Sequence, residues 1–357
     1  MKLIGCVLAI AALAGCKKKQ PATDEQQADN VAPPPATRVS QQPLPQLPKL
    51  ELPDNPKRAQ LVALGHVLFF DKRLSGGNDR ACYSCHQNED GTGGHDPLAI
   101  GSGDKPMPRH APTLWNVGYW KNAGYWDGRA PTLEENIKGA WGGPNMNAGK
   151  DKLDAKAAEI AKVPGYKQLL TDAFGRADVK ADQLASAIAE YMRTLTCTDT
   201  AYDKYAAGDK TALGAEQQRG LDVFAGKGQC IVCHAPPFFS TAMGVDGGIY
   251  FNVGIGTDGP EDKVDVGRMK VTNKPEDWAA FKPPSLRDVT RSPPYFHNGS
   301  VAKLEDAVKL MSSGGIKNKN LNPALADRHL SDGERADLMA FLGALACPGK
   351  LEEAKVP

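Results

Sequence analysis

Two copies of the pattern Cys-x-x-Cys-His constrain this chain more than any other feature of its sequence. The first copy is "CYSCH" at 82–86, and the second is "CIVCH" at 230–234. This pattern is the attachment signal for c-type haem, because two thiols one helical turn apart bond the haem vinyl groups and the adjacent histidine lies beneath the iron. The sequence therefore predicts two covalent haems, with these attachment residues: Cys82, Cys85, Cys230 and Cys233.

A zinc site and a redox dithiol are the alternatives for such cysteine pairs. Zinc needs four ligands that converge, whereas these two motifs lie far apart in the chain. A thioredoxin-like dithiol does not need the histidine that follows each pair here. We therefore interpret His86 and His234 as the proximal ligands of two haem irons.

An amphipathic pattern precedes each motif. Apolar residues in 56–71 recur close to helical spacing, and Leu221 and Phe224 do the same in 215–228. Each copy thus consists of a helix, a Gly-rich break and a haem motif. This arrangement predicts an all-α chain of two cytochrome c-like domains with few or no strands.

The N-terminus has the features of an export signal. Lys2 is followed by a short apolar run at 3–13 and then by "LAGC", which resembles a bacterial lipobox ending at Cys16. The interpretation is a lipoprotein signal over 1–16 with acylation at Cys16, and an ordinary secretory signal is the alternative. Acyl chains at Cys16 predict an exported protein anchored on the periplasmic side of the cell envelope, with the outer membrane as the expected membrane.

Residues 17–53 are rich in proline and glutamine and show no helical period. Such a composition predicts a disordered tether between the anchor and the folded body. The chain carries 43 basic and 42 acidic side chains for a net charge of +1, which gives no reason to expect binding to nucleic acid.

Two cysteines remain once the signal and the haem motifs are accounted for. Cys197 and Cys347 each end a helix-like stretch, and in an oxidising compartment such a pair predicts a disulfide, with two buried free thiols as the alternative. A disulfide predicts that a C-terminal helix, within 331–357, packs back on a first domain at 54–205. The second domain is then 206–330.

Several segments resemble the bacterial di-haem cytochrome c peroxidases, the family that also contains the MauG-like enzymes. The segments are "LGHVLFFDKRLSGG", "YWDGRAPTLEENIKG", "VPGY", "FKPPSLRDVT" and "PYFHNGSVAKLEDAVKLM". The resemblance runs from about 57 to 346.

The resemblance implies roles for three further parts of the chain. Met311, at the end of the last segment, matches the family's axial methionine, which implies an electron-entry haem held by His234 and Met311. The haem of His86 is then the one that reacts with peroxide. Trp126 of "YWDGRA" matches the tryptophan that the family places between its haems as an electron relay. Without the resemblance, Met311 and Trp126 would be interpreted as core residues.

The chain also departs from the family at several positions. The distal histidine of many members corresponds to Ser102, a poor iron ligand, and His95 is a possible substitute from a shifted loop. The acid–base glutamate falls nearest to Asn145, which cannot shuttle a proton. Glu134 and Glu135 would serve only if their helix were rotated. His110 replaces an asparagine at the calcium site, which argues against a calcium ion between the domains.

These observations together predict an envelope enzyme that reduces hydrogen peroxide to water. Electrons from a small cytochrome c or copper protein would enter at the second haem, pass Trp126 and reach the first haem. The alternatives are a MauG-like oxidase of a partner protein and a non-enzymatic electron carrier or redox sensor.

Overall fold

The computed structural model describes residues 38–357, which form one compact unit. Within these residues the chain is mostly helical, as predicted. The α-helices are α1 Arg58–Phe70, α2 Leu133–Gly142, α3 Leu153–Ala161, α4 Tyr166–Phe174, α5 Ala181–Arg193, α6 Ala201–Ala206, α7 Ala215–Ala225, α8 Met269–Thr272, α9 Leu304–Ser312 and α10 Asp332–Gly343.

Strands are few. In the described part of the chain a single small antiparallel sheet joins β1 Ile100–Gly101 to β2 Lys105–Pro106. Long irregular loops connect the other elements, and many of them contain residues with positive φ. The all-α prediction is confirmed.

The first hydrophobic core forms around the crossing of α1 and α5. Leu64 and Leu68 of α1 are fully buried there, in agreement with the helical spacing of the sequence. The backbones approach so closely that a Cβ on Gly65 would lie 1.9 Å from the carbonyl oxygen of Ala187. Only glycine permits this approach, so α1 is positioned firmly ahead of the first haem motif.

The second core repeats this arrangement with α7 and α10. Leu221 and Phe224 of α7 pack on Leu338 and Phe341 of α10. A Cβ on Gly220 would lie 2.0 Å from the carbonyl oxygen of Asp337, so this crossing also depends on glycine. Each haem motif therefore follows a helix that crosses a partner helix at a glycine.

The prediction that the C-terminal helix packs back on the first domain is wrong. Helix α10 belongs to the second core, because its buried residues Leu338, Phe341 and Leu342 pack against α7. Only the extended tail after the helix returns to the first core, where Leu351 is buried and exchanges backbone hydrogen bonds with the Asn88 side chain. The predicted domain limits at 54–205 and 206–330 stay a prediction.

The pair Cys197–Cys347 forms the predicted disulfide, with a Cα–Cα distance of 5.2 Å. The bond joins the end of the first core to the start of the C-terminal tail. Asp288 fixes the same junction, since its carboxylate accepts hydrogen bonds from the Cys347 backbone at 3.0 Å and the Trp115 indole at 2.9 Å.

The predicted disorder of residues 17–53 is wrong for 38–53. This stretch lies extended along the body, and the Ser40 backbone donates to Asp222 of α7 at 2.8 Å. Three tyrosine hydroxyls of the body donate to its backbone carbonyls, at 2.7 to 3.1 Å. These donors are Tyr205 to Ser40, Tyr202 to Pro45 and Tyr119 to Pro48. A proline-rich segment leaves its carbonyls unpaired, so tyrosines can bind it without any helical or strand pattern.

The predicted signal at 1–16, the lipidated Cys16 and residues 17–37 of the tether lie outside the described residues. Across 38–357, no helix combines the length and the hydropathy needed to span a membrane.

Replacing both Cys197 and Cys347 by alanine should lower the free energy of unfolding by about 4 kcal/mol, because the cross-link closes a long loop in the unfolded chain. The two cysteines are separated by 150 residues. Guanidinium unfolding of the haem-loaded protein measures the change, with the wild type under reductant as the control. An unchanged midpoint in both samples would contradict a stabilising disulfide.

Candidate functional site

Both Cys-x-x-Cys-His motifs fold as a single helical turn. The turns span Cys82–Ser84 and Cys230–Val232, and each follows the glycine-dependent helix of its own core. The four motif cysteines are free thiols and are half-buried. One turn brings the two thiols of a motif to the same side, which is the arrangement that haem attachment needs.

The two motif histidines are held in the same way. The Nδ1 atom of His86 lies 3.1 Å from the carbonyl oxygen of Thr92, and Nδ1 of His234 lies 3.1 Å from those of Phe239 and Pro284. Burial lowers the pKa of each imidazole to about 4. Both rings are therefore neutral at pH 7, with the proton on Nδ1 and the lone pair of Nε2 free for a metal.

A cleft of about 230 Å³ opens beside Cys85. Its walls are mixed, with apolar Ala99, Ile100 and Ala111 beside polar and charged residues that include Arg80 and Asp96. The apolar part could contact a porphyrin ring, and an arginine is a suitable partner for a propionate. The free thiols of the first motif and the neutral His86 imidazole fit a covalently attached haem.

Trp126 is buried, with 7% of its surface exposed. Its indole Nε1–H donates to the carbonyl oxygen of His110 at 2.9 Å, and its own carbonyl accepts from the backbone N–H of Lys282 at 3.0 Å. The backbone N–H of His110 in turn donates to the carbonyl of His297 at 2.8 Å. Trp126 is thus held by residues from both halves of the chain.

Ion pairs reinforce this junction. The guanidinium of Arg109 binds Asp127 at 2.7 Å and Asp265 at 2.7 Å, and Arg129 binds the other side of Asp127. Arg268 donates to the backbone carbonyl of Asp127 at 2.9 Å. Because Asp127 follows Trp126 directly, these bonds tie the backbone around Trp126 to the second half of the chain.

Ser102 and Asn145, where the sequence is predicted to depart from the family it resembles, lie side by side. The backbone N–H of Ser102 donates to the carbonyl of Asn145 at 2.9 Å, although the residues are far apart in sequence. The Ser102 hydroxyl is occupied, since it donates to Asp79 at 2.7 Å. Hydrogen bonds from Gly103 and Ser102 lower the pKa of Asp79 to about 2, so this carboxylate is an anion at neutral pH.

Glu134 and Glu135 lie at the opposite end of α2 from Asn145. With a rise of 1.5 Å per residue, the helix separates Glu134 from its last residue, Gly142, by roughly 12 Å along its axis, and Asn145 follows that end. Glu134 pairs with Arg193 at 2.7 Å and Glu135 with Lys138 at 2.7 Å. Both glutamates are thus occupied in ion pairs on α2, away from Asn145.

Two other candidate histidines, His95 and His110, have different surroundings. The side chain of His95 is 79% exposed and lies 3.3 Å from Asp90. His110 is buried, with Nδ1 at 3.0 Å from the carbonyl oxygen of Asp96.

Met311 lies in the last turn of α9 and is half-buried. Leu304 and Ala307 of the same helix belong to the second core, against which Cys230 also packs. Met311 and the second haem motif are therefore carried by the same core.

Sequence reasoning missed Asp79, Arg109 and Lys282. Asp79 precedes the first motif in "GGNDRACYSCH", and Lys282 lies in "FKPPSLRDVT". The available signal for Lys282 was its place between Phe281 and two prolines, within a segment of the family resemblance. No pattern along the chain indicates the partners of Asp79 and Arg109, because these partners come from distant segments.

Comparison with known proteins decides the family. The family model of the di-haem cytochrome c peroxidases matches residues 59–211. The methylamine utilization protein MauG of Methylorubrum extorquens is 34% identical over 82% of this chain and 79% of its own length. The cytochrome c551 peroxidase of Nitrosomonas europaea is 33% identical over 85% of this chain and 84% of its own. The chain belongs to the di-haem cytochrome c peroxidase family.

A solved structure supports the same conclusion. The crystal structure of a MauG-like protein associated with microbial copper homeostasis aligns with a TM-score of 0.75 and 28% identity, over 86% of this chain and 93% of that one. The predicted family and the predicted cytochrome c-like fold are confirmed, and with them the prediction that the chain is an enzyme of the peroxidase family. Two c-type haems are the cofactors of this family.

We expect the first haem of the fully oxidised protein to be high-spin and to react with peroxide before any electron is added. The reason is that Ser102 is bound to Asp79 and that His95 points into solvent. Stopped-flow mixing with peroxide and a spin-resonance spectrum measure this.

His95→Ala should leave both the spectrum and the reaction unchanged. His329→Ala is the matched control, since His329 is equally exposed beside Asp327. A low-spin bis-histidine spectrum that only His95→Ala abolishes would show that His95 is a ligand.

Proposed function

We propose that this protein reduces hydrogen peroxide to water in the bacterial cell envelope, as a lipid-anchored cytochrome c peroxidase. His234 and Met311 would hold the haem at which electrons from a small cytochrome c or cupredoxin enter. His86 would hold the haem that reduces peroxide, and Trp126 would relay electrons between the two. Haem iron supplies the redox chemistry, namely electron storage at the second site and two-electron reduction of the O–O bond at the first.

The observation that carries this proposal is the matched pair of histidines. Each has Nδ1 on a backbone carbonyl and Nε2 free, and each follows two free thiols on one turn. Two such sites in one compact unit support electron transfer between two metals. An enzyme with a single reactive centre would need only one metal site. The hydrogen bonds of Trp126 to backbone atoms of both halves support its assignment to that path.

Proton transfer at the first site is the step that this chain supports least. Asn145 carries no proton that it can exchange, and the nearby Asp79 is an anion whose oxygens already accept hydrogen bonds from Ser102 and Gly103. Neither group can move a proton between the peroxide oxygens at neutral pH. An accessible iron with slow O–O cleavage is the behaviour that these residues support.

A MauG-like oxidation of a partner protein is the second candidate. The relatives include MauG itself, and the solved MauG-like structure covers most of this chain. Against it stands Met311 at the position where a tyrosine is typical of MauG-like enzymes. Thioether ligation favours an electron-entry site over the storage of oxidising equivalents.

Steady-state kinetics test the proposed function. Peroxide-dependent oxidation of a reduced small cytochrome c is the expected result. A high-valent state that forms with peroxide but is slow with small donors would support the MauG-like alternative. Two redox-active haems without any turnover would leave an electron carrier or sensor.

Met311→Ala should lower the reduction potential of the second haem and slow electron entry, because a thioether ligand stabilises reduced iron. Redox titration followed by absorbance measures the potential. Met339→Ala is the matched control, since Met339 packs on the same core from α10. An unchanged potential and low-spin spectrum in Met311→Ala would remove this methionine from the site.

A further inference from the structure

Lys282 is an unusual buried amine. It is 7% exposed, and no carboxylate forms an ion pair with it within residues 38–357. Its Nζ donates to the carbonyl of Ala123 and lies 3.6 Å from the centroid of the Trp120 ring. Burying an amine without an ionic partner is costly, so a position that keeps one calls for a role beyond packing.

All of these contacts fall on one segment, which we call the tryptophan segment and define as residues 120–126. The side chain of Lys282 contacts its beginning at Trp120 and its middle at Ala123. The backbone N–H of Lys282 binds its end, at the carbonyl of Trp126 at 3.0 Å. Lys282 therefore binds the tryptophan segment at three points.

The residues that follow Lys282 lead directly to the second haem motif. The carbonyl of Pro283 accepts from the hydroxyl of Ser240 at 2.7 Å, and the carbonyl of Pro284 lies 3.1 Å from Nδ1 of His234. A continuous path of covalent and hydrogen bonds thus runs from the His234 ring through 284–282 to Trp126. It joins the predicted ligand of one iron to the predicted relay.

The charge of Lys282 changes near neutral pH. Burial lowers the pKa of its amine to about 7, and Asp127 opposes this shift. Among the neighbouring groups, Asp127 is paired with Arg109 and Arg129. Burial lowers the pKa of His297, which stacks on Phe281, to about 4, so this imidazole stays neutral near pH 7. The exposed Lys121 of the tryptophan segment is solvated.

We propose that Lys282 is a positioning residue of the proposed electron path, on which this inference rests. It holds the tryptophan segment against residues 282–284, which orient His234. The charge of its amine adjusts the potential of the second haem. One electron leaves the second iron and is taken up at the first, and no bond in 282–284 is made or broken. The amine exchanges one proton with solvent.

The sign of the effect follows from electrostatics. A positive amine stabilises the reduced iron, which carries one positive charge less than the oxidised iron. The potential of the second haem should therefore be higher below pH 7, where Lys282 is charged, than above it. In Lys282→Met, which keeps the aliphatic stem, the potential should stay at the lower level throughout.

The experiment is a redox titration of the second haem from pH 5.5 to 8.5 in the haem-loaded protein, a range of about 1.5 pH units on either side of the amine's pKa. We expect the curves of wild type and Lys282→Met to diverge below pH 7 and to coincide above it. Electron transfer between the haems is followed after mixing the half-reduced protein with peroxide at pH 8.5, where the two potentials coincide. It should slow about tenfold in Lys282→Met, because the variant loses the hydrogen bond that holds Ala123 of the tryptophan segment.

Two further variants complete the test. Trp120→Leu removes the ring from the ammonium, which destabilises the charged form, so the divergence should begin at a lower pH than in the wild type. Lys319→Met is the matched control, because Lys319 lies 4.5 Å from the Trp278 ring but is exposed and paired with Glu261. Its titration curve should match the wild type.

Parallel curves of reduction potential against pH for wild type and Lys282→Met would overturn the proposal, even if the variant is less stable. A lysine with only a structural role would change the stability of the protein and not the pH dependence of the potential. The titration needs neither peroxide nor donor. A protein that shows the divergence but no turnover therefore rejects the proposed function alone, and turnover with parallel curves rejects only the role of Lys282.

Discussion

The hydrogen bond from a buried imidazole to a backbone carbonyl is the interaction on which both sites depend. Burial keeps His86 and His234 neutral, and the carbonyl selects the tautomer that leaves Nε2 free. A loop histidine without this support, such as His95, stays solvated. The glycine-dependent helix crossings matter because they hold the one-turn motifs, and hence these imidazoles, in place.

The two halves of the chain are joined by polar contacts around Trp126. Arg109 reaches Asp127 and Asp265 from the centre of this junction, and Lys282 approaches from the other side with its backbone and its amine. Charged and hydrogen-bonded contacts are directional, so they define the position of the indole more narrowly than apolar packing would. The second half of the chain therefore helps to orient Trp126, which lies in the first half.

Ser102 and Asn145, the positions at which the sequence is predicted to differ from the family, lie in one region of the structure. Ser102 and Asn145 share a hydrogen bond, and Asp79 occupies the hydroxyl of Ser102. The predicted differences from the family thus lie in one contiguous region, and the Asp79 carboxylate, whose pKa is lowered by its hydrogen bonds, lies beside them.

The sequence by itself determined the features that depend on neighbouring residues. The haem motifs, α1 and α7, the all-α class and the family could be predicted because short spacing carries them, and the Cys197–Cys347 pair followed from counting cysteines. Only the tertiary structure decided which core receives α10, how 38–53 lies on the body, and what surrounds Lys282. These features depend on contacts between distant segments, such as Ser40 with Asp222, and such contacts leave no period or motif along the chain.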